Sequence, residues 1–300
     1  MSRSGRSISA LAAILVLSAG LDAAQSTTRF DGQKAFDHVR AMVALGPRPA
    51  GSPALAKTRD YITKELSALG LTVDEQAFEA STPAGLIKMV NLRTVVGGPH
   101  TAKRIIVAGH YDTKLFKNVK FVGANDGGSS GAFLIELARA LARAPLATPV
   151  ELLFLDGEEA VRPEWEDPDN RYGSRFYVNA ARKDGTLGTI QALVLVDMIG
   201  DRDLRISRES NSTPWLTDII WTTAKKLKRR EFIDRETPIE DDHLPFLQAG
   251  VPAADIIDLD YPAWHTADDT LDQVAPNSLQ AVGDVLLGAL PEIEKRLIKR

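Results

Sequence analysis

Residues 150–159, VELLFLDGEE, contain the pattern that decides the fold: a nearly unbroken apolar run, a glycine turn and two adjacent glutamates. A short apolar run of this kind is typical of a strand that is buried on both faces of a sheet. A second run, ALVLV at residues 192–196, is followed directly by Asp197. Because both faces of such strands must be covered, the sequence predicts a sheet with helices on either side.

The rest of the chain alternates between strand and helix patterns around these two runs. Further strands are predicted at residues 71–78, 86–96, 104–108 and 253–257, which are short and largely apolar or β-branched. Helices are predicted at residues 30–45, 53–69, 129–142, 172–183, 214–227, 243–249 and 276–295. The expected fold class is α/β, with a three-layer α/β/α architecture and a mixed, mostly parallel central sheet.

Composition narrows the class of protein. The 300 residues are 44% hydrophobic and show no break in composition, so we expect one domain over residues 30–300. The net charge of −4 provides no basic footprint for nucleic acid. The domain is expected to be a monomer. No cysteine is present, so stability must come from packing and from bound metal.

The N-terminal segment has the layout of a secretory signal peptide, predicted at residues 1–24. Arg3 and Arg6 precede an apolar stretch at residues 8–21, and small residues follow it. The stretch is short for a membrane span, so we expect an exported protein, periplasmic or secreted, with no stable membrane span after processing. An uncleaved N-terminal anchor stays open, because Asp22 stands where a small apolar residue is expected.

Five residues share one feature, a metal-binding side chain just beyond an apolar run. They are His110, Asp126, Glu159, Asp197 and His265. Carboxylates with one or two imidazoles suit zinc in a catalytic centre. Taken singly, each has a simpler interpretation as a core, capping or surface group; Asp126, for example, could cap the helix predicted at residue 129. Together they favour a zinc enzyme, since the carboxyl ends of parallel strands meet at one edge of a sheet.

Several motifs carry a resemblance to a known family. HxD at residues 110–112, GAND at 123–126, the pair Glu158 and Glu159, and WHT at 264–266 resemble the zinc aminopeptidase-type metallopeptidases. LGPRPAGSP, GHYDTK, DGEEA, YGSR, VDMIG, DDHLPFL and WHTADDT, in this order, resemble the narrower branch of zinc-dependent glutaminyl-peptide cyclotransferases. Where animal members of that branch carry a histidine near the site, this chain has Asp255.

The resemblance implies roles for particular residues. One zinc would be held by Asp126, Glu159 and His265, and a second site would use His110 with Asp197. Glu158 would be the general acid/base, supported by a network of Asp197 and Asp241. Trp264, Trp165 and Tyr261 would line the substrate pocket. Asp112, within the HxD motif, is interpreted as a residue that orients a metal ligand or a neighbouring backbone group.

The activity implied by the resemblance is that of a glutaminyl-peptide cyclotransferase, which converts an N-terminal glutamine into pyroglutamate and releases ammonia. The resemblance also implies that peptide or protein N-termini are the partners, as substrates. A zinc aminopeptidase of the same fold is the main alternative, and it would use two zinc ions rather than one. A catalytically inactive binding domain is a third alternative. It predicts the loss of ligands or base, whereas all of these positions are filled here.

Overall fold

The structure is a computed structural model that describes residues 29–99 and 101–299. The predicted signal peptide, residues 1–24, lies outside the described residues, so it stays a prediction. Within the described ranges, no helix has the length and apolar character needed to cross a bilayer.

Helices and strands alternate along the described chain. The α-helices are α1 (Gly32–Ala44), α2 (Pro53–Ala68), α3 (Gly128–Arg143), α4 (Tyr172–Lys183), α5 (Pro214–Lys226), α6 (His243–Gln248) and α7 (Pro276–Ile298). The strands are β1 (Asp74–Thr82), β2 (Gly85–Val96), β3 (Arg104–His110), β4 (Val150–Leu155), β5 (Ile190–Asp197), β6 (Ile206–Glu209), β7 (Phe232–Thr237) and β8 (Ala253–Ile257). Short 3₁₀ turns occupy Leu187–Thr189 and Leu271–Gln273.

The central sheet has the order β1-β2-β4-β3-β5-β8. The pairs β1/β2 and β2/β4 are antiparallel, whereas β3/β4, β3/β5 and β5/β8 are parallel. The predicted mixed, mostly parallel sheet is therefore confirmed. Its four parallel strands end at one edge, which brings the loops after β3, β4, β5 and β8 together.

Alternate residues of the buried strands supply two separate cores. On β3, Ile105 and Val107 pack in the larger core with α1, α2, α3, α5 and α7. Ile106 and Ala108 point to the opposite face and pack with α4 and α6. The period of two in a strand places successive side chains on opposite faces, and it accounts for the predicted three layers.

The structure also contains a small sheet that the sequence patterns do not predict. Strands β6 and β7 pair in parallel, and β6 packs against β8. Only Phe232 of β7 is buried, and the strand otherwise reads IDRET, so the apolar pattern of a buried strand is missing. Another difference is that β1 begins at Asp74, three residues later than predicted, because its register is set by pairing with β2.

Candidate metal centre

The predicted ligands come together at the carboxyl edge of the parallel strands. His110 and Asp197 are the last residues of β3 and β5, and Glu159 follows β4 after a short turn. Asp126 directly precedes the start of α3, and His265 lies in the loop after β8. Residues that are up to 155 positions apart in the chain therefore share one edge, as the parallel topology predicts.

Two groups of side chains could each hold a metal ion. The first consists of Asp126, Glu159 and His265, and the second consists of His110, Asp126 and Asp197. Within each group, one ligand atom per residue lies within 4.8 Å of the others. Because Asp126 belongs to both groups, it is the residue that joins them.

The two oxygens of Asp126 face different groups. Its Oδ2 lies 3.4 Å from Nε2 of His265, and its Oδ1 lies 3.2 Å from Nε2 of His110. In the first group, Nε2 of His265 is also 3.4 Å from Oε2 of Glu159. In the second group, Nε2 of His110 is 3.0 Å from Oδ1 of Asp197. A carboxylate placed in this way can bridge two ions or bind one.

Unpaired buried oxygens show that the first group fits a cation. Oδ2 of Asp126 and both side-chain oxygens of Glu159 are buried and have no hydrogen-bond partner among the described residues. A buried carboxylate oxygen without a partner is costly, and a bound metal ion satisfies it. The donor set of two carboxylates and one imidazole suits zinc, and one coordination position would be left for substrate.

The second group is partly satisfied by its own hydrogen bonds. The His110 ring and Oδ1 of Asp197 are within hydrogen-bonding distance, and the same oxygen accepts from the backbone N–H of Met198 at 2.7 Å. Burial raises the pKa of Asp197 to about 7. Burial acts to lower the pKa of His110, but the carboxylates of Asp197 and Glu158 outweigh it and raise that pKa well above its usual value.

The Asp126 loop is held by a residue that sequence reasoning missed, Asp269. The carboxylate of Asp269 accepts from the backbone N–H of Asn125 at 2.8 Å and from that of Asp126 at 3.1 Å. The hydroxyl of Tyr261 donates to the same carboxylate at 2.7 Å. These bonds fix the backbone that carries the shared ligand. No local pattern distinguishes Asp269 from the adjacent Asp268 in WHTADD, so only the tertiary contact identifies it.

Asn125 connects this loop to the turn after β5. Its side-chain oxygen accepts from the N–H of Gly200 at 2.7 Å, and its amide nitrogen donates to the carbonyl of Met198 at 3.3 Å. Met198 has a positive φ of 46°, a conformation that a non-glycine residue adopts only when its surroundings hold it. Asn125 therefore helps to set the separation between Asp126 and Asp197.

We expect Asn125→Ala to lower the unfolding free energy by about 1–3 kcal/mol, because it leaves the buried N–H of Gly200 and the carbonyl of Met198 without these partners. Zinc affinity should fall with it, since the ligand loop loses a support. Urea unfolding and zinc titration measure the two effects. Asn179→Ala, on an exposed part of α4, is the control. Unchanged stability and zinc affinity in Asn125→Ala would contradict the bracing role.

Asp112 and Gly127 bring the loops close to His110. Oδ1 of Asp112 lies 3.4 Å from Nδ1 of His110, and the Asp112 carboxylate also accepts from the backbone N–H groups of Glu158 and Glu159 at 3.3 and 3.5 Å. Asp112 therefore contacts both a candidate ligand and the neighbouring backbone. Gly127 has a φ of +71°, and a Cβ there would lie 2.2 Å from the carbonyl oxygen of Asp112. Only glycine allows this approach.

Aromatic rings surround His265 on several sides. The Trp264 ring stacks on it with centroids 4.4 Å apart, while Phe116 and Phe121 meet it edge-on at 5.7 and 5.9 Å. His265 itself has a positive φ of 55°. Packing of this kind holds the ligand ring in one orientation and compensates for the strained backbone. Trp264 could be identified from the sequence because it is adjacent to His265, whereas both phenylalanines lie far from His265 in the chain and could not.

Glu158 belongs to neither group of candidate ligands. Its carboxylate lies 3.7 Å from Nδ1 of His110, and burial raises its pKa well above the usual value, with further contributions from the negative charges of Glu159 and Asp241. Burial also raises the pKa of Asp241, and that of Asp242 to about 7. Burial and crowding shift the pKa of these carboxyl groups upward from their usual range, which is the direction that a general acid/base needs.

A cavity of about 290 Å³ opens onto these groups. Its wall includes both candidate pocket tryptophans, together with the candidate ligands of the first group and the carboxylates around Glu158. These lining residues are Asp126, Glu158, Glu159, Trp165, Asp197, Asp241, Trp264 and His265. Tyr261 is not in the wall. Its side chain is buried at 3% exposure, and its hydroxyl points to Asp269, so it supports the Asp126 loop from behind.

Comparison with known proteins identifies the family. The family model of peptidase family M28 matches residues 91–290. The chain belongs to this family. The M28 match includes each of the five candidate ligands, and the resemblance inferred from the motifs is confirmed.

Within the M28 family, the chain is similar to individual proteins named as cyclotransferases, cyclases and an aminopeptidase precursor. The glutaminyl-peptide cyclotransferase-like protein of Bos taurus is 30% identical over 278 residues, which cover 82% of this chain and 72% of the bovine protein. The crystal structure of Acidobacteriales bacterium glutaminyl cyclase is 41% identical, with a TM-score of 0.85, and the match covers 89% of this chain and 96% of that one. The crystal structure of a leucine aminopeptidase precursor from Bacteroides thetaiotaomicron is 27% identical, with a TM-score of 0.79 and coverage of 87% and 97%.

Proposed function

We propose that the protein is a zinc-dependent glutaminyl-peptide cyclotransferase, which converts an N-terminal glutamine of a peptide or protein into pyroglutamate and releases ammonia. The observation that supports this most is the position of Glu158. It is a buried carboxylate outside both candidate ligand groups, and it lines the same cavity as Asp126, Glu159 and His265. The similarity to proteins named glutaminyl-peptide cyclotransferase and glutaminyl cyclase supports the same activity.

The reaction needs a proton to move between two nitrogens of one residue. Ring closure joins the α-amino nitrogen of the glutamine to its side-chain carbonyl carbon, and the bond from that carbon to the amide nitrogen breaks. Glu158 accepts a proton from the α-amine and delivers it to the departing nitrogen, which leaves as ammonia. The protonation of Glu158 is the same before and after each turnover.

Neighbouring groups keep Glu158 ready for this role. Asp241 and Asp197 line the cavity beside it, and their negative charges favour the sharing of protons among the three carboxyl groups. Trp165 and Trp264 supply apolar walls that limit the access of water. Because the attacking amine belongs to the substrate itself, its effective molarity can reach ~10⁵ M, so ring closure outruns attack by water.

Zinc would be held by Asp126, Glu159 and His265, and when bound it supplies a Lewis acid that polarises a carbonyl group. We propose one tightly held ion in this first group. The support is a contrast among the candidate ligands. Buried oxygens of Asp126 and Glu159 have no hydrogen-bond partner among the described residues, although Nζ of Lys114 lies 3.7 Å from Oε2 of Glu159, whereas His110 and Asp197 are within hydrogen-bonding distance of one another.

A zinc aminopeptidase is the second candidate function. It is favoured by the completeness of the second group, His110, Asp126 and Asp197, and by the similarity to the aminopeptidase precursor. An aminopeptidase of this fold would use both groups for metal. The two functions therefore differ in zinc content as well as in products.

Product analysis tests the proposal directly. Zinc-loaded protein is incubated with a peptide that begins with glutamine, and ammonia and free glutamine are both measured. We expect ammonia and a pyroglutamyl peptide, with no free glutamine. Release of free amino acids from ordinary peptides, together with two tightly held zinc ions per chain, would support the aminopeptidase instead.

A further inference from the structure

The cavity wall has one carboxylate that neither the candidate metal ligands nor the proton transfer uses, that of Glu240. It follows β7, immediately before Asp241, and it lines the cavity. Glu240 is exposed, whereas the other carboxylates of the wall are buried. Within residues 29–99 and 101–299, its side chain has no hydrogen bond and no ion pair. Its charge is therefore available to a bound molecule.

The backbone that precedes Glu240 is held firmly. The N–H of Ile239 donates to Oε1 of Glu209 at 3.1 Å, and its carbonyl accepts from the side chain of Asn211 at 3.2 Å. The Ile239 side chain is buried against Met198, Ile257, Tyr261 and Ala263. This support fixes the position at which the free carboxylate begins, and a preorganised position is what recognition of a ligand requires.

The surrounding charges favour a cationic ligand. Apart from His265, every ionisable side chain in the cavity wall is a carboxylate. Lys117 and Lys120 are exposed and follow Phe116, the residue whose ring contacts His265. Neither lysine lines the cavity. With zinc bound, the charges of Asp126 and Glu159 are balanced by the ion, so Glu240 is the solvent-facing carboxylate of the wall that favours a cation beside it.

We propose that Glu240 determines substrate specificity, by favouring peptides in which a lysine or arginine follows the N-terminal glutamine. This rests on the proposed cyclotransferase activity. With the glutamine side chain at Asp126, Glu159 and His265 and its α-amine at Glu158, the rest of the peptide leaves through the exposed part of the cavity. A cationic side chain on the second residue then pairs with Glu240.

The test compares three peptides that begin Gln-Lys, Gln-Ala and Gln-Glu, with kcat/KM measured for the zinc-loaded wild type and for Glu240→Gln. We expect the wild type to favour Gln-Lys over Gln-Ala by about two- to five-fold, as for one partly exposed ion pair. Glu240→Gln should remove this preference, so that the ratio of kcat/KM for Gln-Lys to that for Gln-Ala falls to about one. The preference should also weaken as salt is raised.

Glu236→Gln is the matched control, because Glu236 is an exposed carboxylate on β7 that does not line the cavity. It should keep the wild-type preference. An equal Gln-Lys to Gln-Ala ratio in the wild type and Glu240→Gln would overturn the role of Glu240, even if both proteins form pyroglutamate. If no peptide is cyclised, the proposed function fails. In that case the same Gln-Lys to Gln-Ala ratio of kcat/KM, measured from the release of the N-terminal residue, decides the role of Glu240.

Discussion

Replacement of Glu158 by glutamine is expected to lower kcat for pyroglutamate formation by on the order of 10³-fold, because an amide cannot accept and return the proton. Zinc content should stay at the wild-type value, since Glu158 belongs to neither group of candidate ligands. Steady-state kinetics and metal analysis on the same preparation measure the two effects. The combination of lost turnover and retained zinc distinguishes a proton carrier from a metal ligand.

The control for this change is Glu164→Gln. Glu164 lies in the same loop after β4, but it is exposed and lines a separate surface depression with Ser81 and Thr82. Its replacement should leave kcat and zinc content unaltered. Near-normal turnover in Glu158→Gln would remove Glu158 from the acid/base role and leave the proposed reaction without a proton carrier.

Replacement of Asp126 by asparagine is expected to lower zinc affinity more than replacement of any other single candidate ligand, because Asp126 is shared by both groups. Changes to residues that only support a ligand lower metal affinity by about 10- to 100-fold, so the loss of a ligand charge should exceed that range. Activity should fall in proportion to bound zinc. Zinc per chain after dialysis is the measurement, with circular dichroism to verify that the variant is folded.

Two further variants separate the groups. Glu159→Gln affects only the first group, and Asp197→Asn affects only the second. If one zinc is bound in the first group, Glu159→Gln should lose it and Asp197→Asn should keep it. Asp268→Asn, an exposed carboxylate three residues after His265, is the control. Two zinc ions in the wild type and one in Asp197→Asn would contradict the proposal of a single ion.

Much of the fold follows from local patterns along the chain. The apolar runs that form β3, β4, β5 and β8 can be predicted as buried strands, because a strand covered on both faces has apolar side chains at nearly every position. The small sheet of β6 and β7 is different. Its strands are short and β7 is largely exposed, so their pairing depends on packing against β8 rather than on a local pattern.

The candidate site divides in a similar way. His110, Asp126, Glu159, Asp197 and His265 could be identified from sequence, because each follows a recognisable element and together they match a family pattern. Asp269, Asn125, Phe116 and Phe121 could not. These four residues act through hydrogen bonds and ring contacts, and each of these contacts is to a residue that is distant in the chain. Tyr261, which was predicted to line the pocket, lies behind the site because its hydroxyl donates a hydrogen bond to Asp269.

The sequence by itself determined which strands are buried and which side chains stand at their ends, because burial on two faces and the alternation of helix and strand are written in short stretches of residues. Only the tertiary structure decided that the two oxygens of Asp126 face different groups and that the Glu240 side chain has no hydrogen bond or ion pair among residues 29–99 and 101–299. Distances between side chains depend on strand order, register and loop packing, which are properties of the whole chain.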